Sequence, residues 1–176
     1  MAYLRGSWRS ETLEMSTHVT ICMPDYPVKP RATVLLLHGL KGDSDVWMNR
    51  AGLEFFANKH SLAFIMPEVQ RSWYIDMAYG LDYFGYVSGE VPLLAQKYFN
   101  LPVDPEHFYI GGLSMGGYGT WYTAMAYPDL FTAIAPCCGG GMAWNAGVLT
   151  MPVWAFHGAD DTVVSPYQTQ EMAQAL

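Results

Sequence analysis

The pentapeptide GLSMG at residues 112–116 has the clearest potential for chemistry in this sequence. It stands where a buried apolar run, residues 107–112, gives way to a helical pattern over 115–127. A sharp turn between a strand and a helix holds a serine in a strained conformation and exposes its hydroxyl. Small neighbours are needed because side chains would collide in such a turn. The spacing therefore predicts that Ser114 is a nucleophile.

Two backbone N–H groups could hold the negative charge that forms when a serine attacks a carbonyl carbon. One belongs to Met115, at the start of the predicted helix. The other belongs to Leu40, in the segment HGL that closes the apolar run 32–39. We therefore predict Leu40 and Met115 as oxyanion donors, with an ordinary strand-end turn as the alternative for the HGL segment.

An acid partner is expected after the serine, on a loop at the end of a later strand. Residues 152–158 have such a strand pattern and are followed by Asp160 and Asp161. The general base is less evident, because no histidine follows Asp161 within the remaining 15 residues. A serine hydroxyl is a weak nucleophile at neutral pH unless a base accepts its proton.

His157 is the best substitute for that base among the five histidines. It stands at the carboxyl end of the last predicted strand, four residues before Asp161. The alternative for His157 is a buried residue that shapes the turn. The other histidines are predicted to be structural or superficial: His18, His38, His60 and His107.

Alternating apolar strands and helical segments define the expected architecture. Strand patterns lie at 32–39, 62–67, 107–112, 131–138 and 152–158, after an antiparallel pair of strands. One helix is expected from about Asp45 to His60, with Phe55 and Phe56 facing inward. Short strands that alternate with helices predict an α/β fold with a mostly parallel, doubly wound sheet. The length predicts a single domain over residues 1–176.

Composition excludes several kinds of partner. Nine basic residues against sixteen acidic ones leave a net charge of −7, which disfavours nucleic acids and a polybasic membrane anchor. No apolar run approaches the ~20 residues of a membrane helix, and no signal peptide is recognisable. The three cysteines have no metal-binding spacing. We therefore expect a cytoplasmic protein without a metal site or cofactor.

The motifs resemble those of α/β-hydrolase esterases. Residues 1 to about 115 are similar to acetyl and tributyrin esterases of the esterase D and S-formylglutathione hydrolase group, through HGLKGDSDVWMNR, FIMPEVQRSWYIDMAYGLDYF and GLSMGGYG. Residues from about 111 onward are also similar to prolyl oligopeptidase-like and dienelactone hydrolase-like esterases, through GLSMGGYGTWYTAMAYPDLFTAIAPCCGGG and VWAFHGADDTVVS. The resemblance implies Ser114 as nucleophile. It favours Asp161 over Asp160 as the acid, because Val163 and Val164 follow it.

The resemblance implies a serine carboxylesterase that hydrolyses short-chain acyl esters, such as acetyl or butyryl esters, through an acyl-enzyme. One alternative is a thioesterase of the S-formylglutathione hydrolase type. Another is a catalytically weak or silent hydrolase fold that serves as a binding or assembly module. Trp73, Tyr83 and Trp144 are expected to line the substrate pocket, with core packing as the alternative for the two earlier aromatics.

The family carries its histidine beyond a further strand, so the fold is expected to be shortened at the C-terminal end. Residues 152–158 would then form an exposed apolar edge of the sheet. Because unpaired edges are templates for pairing with another chain, we expect a homo-oligomer.

Overall fold

A six-stranded sheet forms the centre of the protein. The computed structural model describes residues 2–141 and 143–176, without the side chains of 143–145. Along the sheet the strand order is β1-β2-β4-β3-β5-β6. The strands are β1 (Ala2–Ser10), β2 (Met15–Met23), β3 (Ala32–Leu37), β4 (Leu62–Pro67), β5 (Phe108–Leu113) and β6 (Ala133–Cys137). β1 and β2 are antiparallel, whereas β4, β3, β5 and β6 run parallel. The prediction of a mostly parallel sheet is confirmed.

Helices cover both faces of this sheet. They are α1 (Val46–Ala51), α2 (Leu53–His60), α3 (Tyr83–Gly85), α4 (Val91–Phe99), α5 (Met115–Ala126) and α6 (Pro166–Gln174), with a π-helical turn over Tyr86–Glu90 and a 3-10 turn over Ala143–Val148. None of the described helices is long and apolar enough to cross a membrane.

Side chains of β3 divide between two apolar clusters because successive residues of a strand point to opposite faces. Leu35 and Leu37 pack in the larger cluster, with α4 and α5. Val34 and Leu36 pack against the smaller one, with α1 and α2. β3 and β5 are adjacent parallel strands inside this double-faced sheet, so their carboxyl ends lie side by side on a rigid support.

The expected single helix over 45–60 is two helices. Gly52 adopts φ 58° between α1 and α2 and breaks the continuity. The helix after this break buries Leu53 and Ala57, four residues apart on one face. Phe55 and Phe56 are consequently 61% and 44% exposed, so the prediction that they face inward is wrong. A left-handed residue resets the helical phase, which the apolar pattern does not reveal.

The expected strand at 152–158 is reduced to two isolated parallel bridges with β6, at Val153 and Phe156. Trp154 N–H donates to Ile134 O at 3.0 Å, and Phe156 N–H donates to Pro136 O at 3.1 Å. Trp154 and Phe156 remain more than half exposed. The segment pairs with β6 on one side only, so it has half of the ladder that supports an inner strand.

Candidate active site

Ser114 occupies the sharp turn between β5 and α5. Its backbone has φ 58° and ψ −115°, a combination that non-glycine residues rarely adopt. The N–H of Ser114 donates to Cys137 O at 2.8 Å, and its carbonyl accepts from Tyr118 N–H at 2.9 Å. Backbone groups of β6 and α5 therefore hold the serine in its strained conformation, as the motif predicts.

Two glycines make this turn possible. A Cβ atom on Gly112 would collide with the carbonyl oxygen of Gly116. A Cβ atom on Gly116 would collide with the carbonyl oxygen of Leu37 at the end of β3. Neither obstacle is a flexible side chain that could move away. The glycines of GLSMG are therefore required by the close approach of β5, α5 and β3.

The two predicted oxyanion donors belong to residues that are neighbours of Ser114. Met115 is the first residue of α5, so its N–H has no partner within the helix. Leu40 follows Gly39, where an added Cβ atom would lie 3.6 Å from Ser114 Cβ. Leu40 and Ser114 line one cavity. This placement is compatible with the predicted pair of donors, although their role stays a prediction.

His38 supports the turn that carries Leu40. Its side chain is buried, and Nδ1 donates to Gly39 O at 2.8 Å while Nε2 accepts from Val69 N–H at 3.2 Å. The hydroxyl of Tyr74 donates to the carbonyl of His38 at 2.8 Å. This buried network gives His38 the structural position expected for it.

Asp161 organises the loop over residues 159–164, called here the acid loop. This loop follows residues 152–158, called here the edge segment. Its Oδ1 accepts from Val163 N–H at 2.8 Å and from Val164 N–H at 3.0 Å. Its Oδ2 lies 3.3 Å from His157 Nε2. The backbone donors of Val164 and Val163, followed by the nearby His157, hold the pKa of Asp161 below its ordinary value. An ionised carboxylate at this position has the charge that a triad acid needs.

Both ring nitrogens of His157 have partners in the acid loop and α6. Nδ1 lies 2.7 Å from Thr169 Oγ1, and Nε2 lies 3.0 Å from Val164 O. The hydroxyl of Ser114 has no hydrogen-bond partner among the described residues. The structure thus brings His157 to Asp161 but not to Ser114. The surrogate-base role stays a prediction that this arrangement does not support.

The remaining histidines do not contact Ser114 and are not placed to act as its base. His18, His60 and His107 are exposed. His107 precedes β5, at the end of the sheet opposite to Ser114, and its Nδ1 lies 2.7 Å from Asp104 Oδ1. All three agree with the structural or superficial positions expected for them.

Cys138 is a neighbour of the acid loop that the sequence did not indicate. Ligand atoms of Cys138, His157 and Asp161 all lie within 4.8 Å of one another. These are residue types that zinc accepts, but both nitrogens of His157 are already engaged, so binding an ion would break those contacts. The position of Cys138 directly after β6, beside the strand of the nucleophile, was the available signal.

A cavity of about 520 Å³ opens beside Ser114. Its walls come from four places: residues 38–42, called here the oxyanion segment, helix α1, the turn at Ser114 and the acid loop. The lining residues are Gly39, Leu40, Lys41, Gly42, Val46, Trp47, Arg50, Ala51, Leu113, Ser114 and Val163. The indole N–H of Trp47 donates to Leu37 O at 3.2 Å, which fixes this ring at the end of β3. The cavity can hold a small, mostly apolar group next to Ser114.

The three aromatic residues expected in the pocket have different positions. Tyr83 is 2% exposed and packs in the larger core cluster, so it presents almost no surface to a ligand. Trp73 is half-exposed, and its ring contacts the ring of Tyr118 edge-on with centroids 5.8 Å apart. The side chain of Trp144 lies outside the described residues. Neither Trp73 nor Tyr83 lines the cavity beside Ser114.

A serine on a glycine-flanked turn between an inner parallel strand and a helix is the arrangement typical of serine hydrolases with the α/β-hydrolase fold. A family model described as "Putative esterase" matches residues 10–170. The chain therefore belongs to this esterase family.

Individual relatives agree with this membership. An acetyl esterase of Caldicellulosiruptor saccharolyticus is 30% identical over 145 residues, which cover 76% of this chain and 54% of that protein. An S-formylglutathione hydrolase of Rattus norvegicus is 32% identical over 102 residues, covering 56% of this chain and 31% of that protein. The solved structure of the fluorophosphonate-binding serine hydrolase F of Staphylococcus aureus is 31% identical, with a TM-score of 0.76 over 99% of this chain and 73% of that chain. The chain spans about half the length of the acetyl esterase.

Proposed function

We propose that the protein is a serine carboxylesterase that hydrolyses short-chain acyl esters through an acyl-enzyme on Ser114. The observation that carries this proposal is the strained Ser114 backbone, which neighbouring glycines and backbone contacts enforce, because strain of this kind clusters at functional sites. The small cavity beside the serine suits a short acyl or alcohol group.

In this mechanism Ser114 Oγ attacks the ester carbonyl carbon while a base accepts its proton. The carbonyl electron pair moves onto oxygen, which accepts hydrogen bonds from the N–H groups of Leu40 and Met115. Collapse expels the alcohol, which takes the proton, and water then releases the acid from Oγ. Asp161 would orient the base and stabilise its charge. No described side chain occupies the position of that base.

Two alternatives have specific support. A thioesterase acting on S-formylglutathione is favoured by the relatives that have that name. A catalytically weak or silent module is favoured by the hydroxyl of Ser114, which has no partner among the described residues. Hydrolysis of S-formylglutathione beside p-nitrophenyl butyrate separates the thioesterase from the carboxylesterase.

The decisive experiment compares the protein with its Ser114→Ala variant. We expect a fluorophosphonate to label the unmodified protein and p-nitrophenyl acetate and butyrate to be hydrolysed, with both activities lost in the variant by about 10³-fold or more. Equal background rates in both proteins, with no labelling, would reject the enzyme and favour the silent module.

The base can be tested in the same assays with His157→Ala. If His157 were the base, hydrolysis would fall by about 10²-fold or more at 20 °C while the folded fraction stayed constant. The contacts of His157 instead predict that the main effect is on stability, as described below.

Three finer expectations are part of the proposal: a cytoplasmic location, a single domain, and a homo-oligomer joined through the edge segment. The exposure of Trp154 and Phe156 on that segment supports the last of them. Light scattering at high concentration should give a mass above that of one chain, and Trp154→Lys should lower it. A monomer at all concentrations would reject the oligomer. Because the sequence resembles tributyrin esterases, tributyrin is a further ester to test.

A further inference from the structure

Two cationic residues are among those that line the cavity beside Ser114. Lys41 follows the oxyanion segment, and Arg50 lies in the last turn of α1. Both residues are exposed. Neither side chain has an ion pair or a hydrogen bond with any residue that the structure describes. Their charges are therefore available to a ligand in the cavity.

The carboxylates of the same region are already engaged. Asp45 binds Arg5 at 2.7 Å and accepts from the hydroxyl of Thr20 at 2.6 Å. Asp43 accepts from the N–H of Asp45 at 3.0 Å. Asp161 accepts from the acid loop and contacts its histidine. Among the described residues, neither Lys41 nor Arg50 forms an ion pair with a carboxylate, although the protein has a net charge of −7.

The remaining walls of the cavity are mostly apolar. They are formed by Leu40, Val46, Trp47, Ala51, Leu113 and Val163. A ligand that fills this space would place an uncharged part against the apolar walls while a negative group meets the cations. The reacting carbonyl would lie at Ser114, between the two oxyanion donors. This arrangement selects a bifunctional molecule, with an ester at one end and an anion at the other.

We propose that Lys41 and Arg50 are specificity-determining residues that bind a carboxylate of the substrate. The substrate class is an ester or thioester that carries a carboxylate a few bonds from its acyl carbon, in either the acyl or the alcohol half. This inference rests on the proposed function and names the substrate class of that same site. Arg50 can bind a carboxylate through two N–H groups, whereas Lys41 acts as a point charge.

Both cations are solvent-exposed, so the expected effect is moderate. Exposed ion pairs are weak individually and are screened by salt. Together the two should favour an anionic substrate over its neutral analogue by about 5- to 20-fold in kcat/KM at low ionic strength. The preference should shrink in 0.5 M NaCl, because the Debye length there is only several ångströms.

The test uses matched pairs of esters. For the alcohol half, 4-acetoxybenzoate is compared with 4-acetoxybenzamide; for the acyl half, the mono-4-nitrophenyl ester of glutaric acid is compared with 4-nitrophenyl pentanoate. The ratio of kcat/KM for the anionic and neutral members should fall about tenfold in Lys41→Ala/Arg50→Ala for one of the pairs. That pair identifies which half carries the carboxylate.

The matched control is Lys29→Ala/Lys59→Ala. It removes the same charge near the start of β3 and the end of α2, at the opposite end of the sheet from Ser114. The control should keep the ratio of the unmodified protein. A ratio that does not change in Lys41→Ala/Arg50→Ala, or that falls equally in the control, would overturn the inference.

Binding distinguishes this inference from the proposed function. In Ser114→Ala, fluorine NMR would measure dissociation constants for 4-fluorophenoxyacetate and 4-fluorophenoxyacetamide. Tighter binding of the carboxylate, lost with Lys41 and Arg50, supports the inference even if no ester is hydrolysed. Equal binding of the two compounds overturns it, whatever the esterase activity of the unmodified protein.

Discussion

The turn that carries Ser114, called here the nucleophile turn, and the acid loop are the two proposed halves of one site, and they are held by different means. Ser114 is fixed by backbone contacts with β6 and α5, on the inner strand β5, and the close approach of β3 leaves no room for a side chain at Gly112 or Gly116. Asp161 is fixed by hydrogen bonds with its own loop and with His157, beside an edge segment whose Trp154 and Phe156 are exposed.

This difference shows how a residue with a strained backbone, Ser114, and one without such strain, Asp161, are each held in place. A conformation as costly as that of Ser114, about 1–3 kcal/mol, persists only where the surroundings exclude every alternative. The acid loop stores no comparable strain at Asp161, but it depends on a few polar contacts that can be removed one at a time. Mutations should therefore damage the first region all at once and the second in steps.

The largest effect is expected when a methyl group is added to the nucleophile turn. In Gly116→Ala the new Cβ would collide with the carbonyl oxygen of Leu37, so we expect a loss of about 3 kcal/mol or more in the free energy of unfolding. Urea denaturation measures this loss.

The control for that substitution is Gly89→Ala, because nothing lies within 4 Å of a Cβ atom at Gly89. Its free energy of unfolding should change by less than about 1 kcal/mol. Similar stabilities of the two variants would show that the nucleophile turn adapts, and the contrast between the two regions would fail.

A smaller effect is expected from His157→Ala. The side chain is 5% exposed and contacts Thr169, Val164 and Asp161, so its removal takes one polar partner from each of them and leaves a cavity. We expect a loss of about 1–3 kcal/mol in the free energy of unfolding. Hydrogen exchange should accelerate in the acid loop and α6 while the amides of β5 stay protected. If the amides of β5 also exchanged faster, the nucleophile turn and the acid loop would not be stabilised independently of each other.

The two contacts of the Thr169 hydroxyl, with His157 Nδ1 and with Gly139 O at 3.4 Å, are removed together in Thr169→Val. The hydroxyl of Thr169 lies 2.7 Å from His157 Nδ1, and valine keeps the shape without the oxygen. We expect a loss of about 1 kcal/mol in thermal or urea unfolding. Thr169→Ser, which keeps the oxygen, should lose less. If serine and valine were equally harmful, packing rather than the hydrogen bond would explain the role of this residue.

The smallest effect is a pH dependence confined to the acid loop. The pKa of Asp161 is lowered in the folded protein, chiefly by the N–H groups of Val164 and Val163. The stabilisation is therefore fully present above the ordinary aspartate pKa of about 3.9 and is lost as the pH falls through the lowered value. Amide exchange at Val163 and Val164 should become faster on acidification, relative to the amides of β5. In Asp161→Asn this relative change should disappear, and its persistence there would assign it to another group.

Much of the fold follows from local pattern. The apolar runs of β3, β4 and β5 alternate with helical segments, and such a pattern has few solutions other than a parallel sheet covered on both faces. The break at Gly52 and the weak pairing of 152–158 were not predictable in the same way. Both depend on which neighbours are present to pair or pack, and apolar content alone does not contain that information.

The sequence by itself determined the turn that carries Ser114, the proposed nucleophile, because GLSMG encodes a local backbone geometry that only glycines permit at positions 112 and 116. It also indicated Asp161, whose loop closes within a few residues. Only the tertiary structure decided that His157 turns towards Thr169 and Asp161 and that Cys138 joins them. It also placed Lys41 and Arg50 in one cavity with Ser114. These are contacts between distant segments, and they are set by how strands and helices pack rather than by any local spacing.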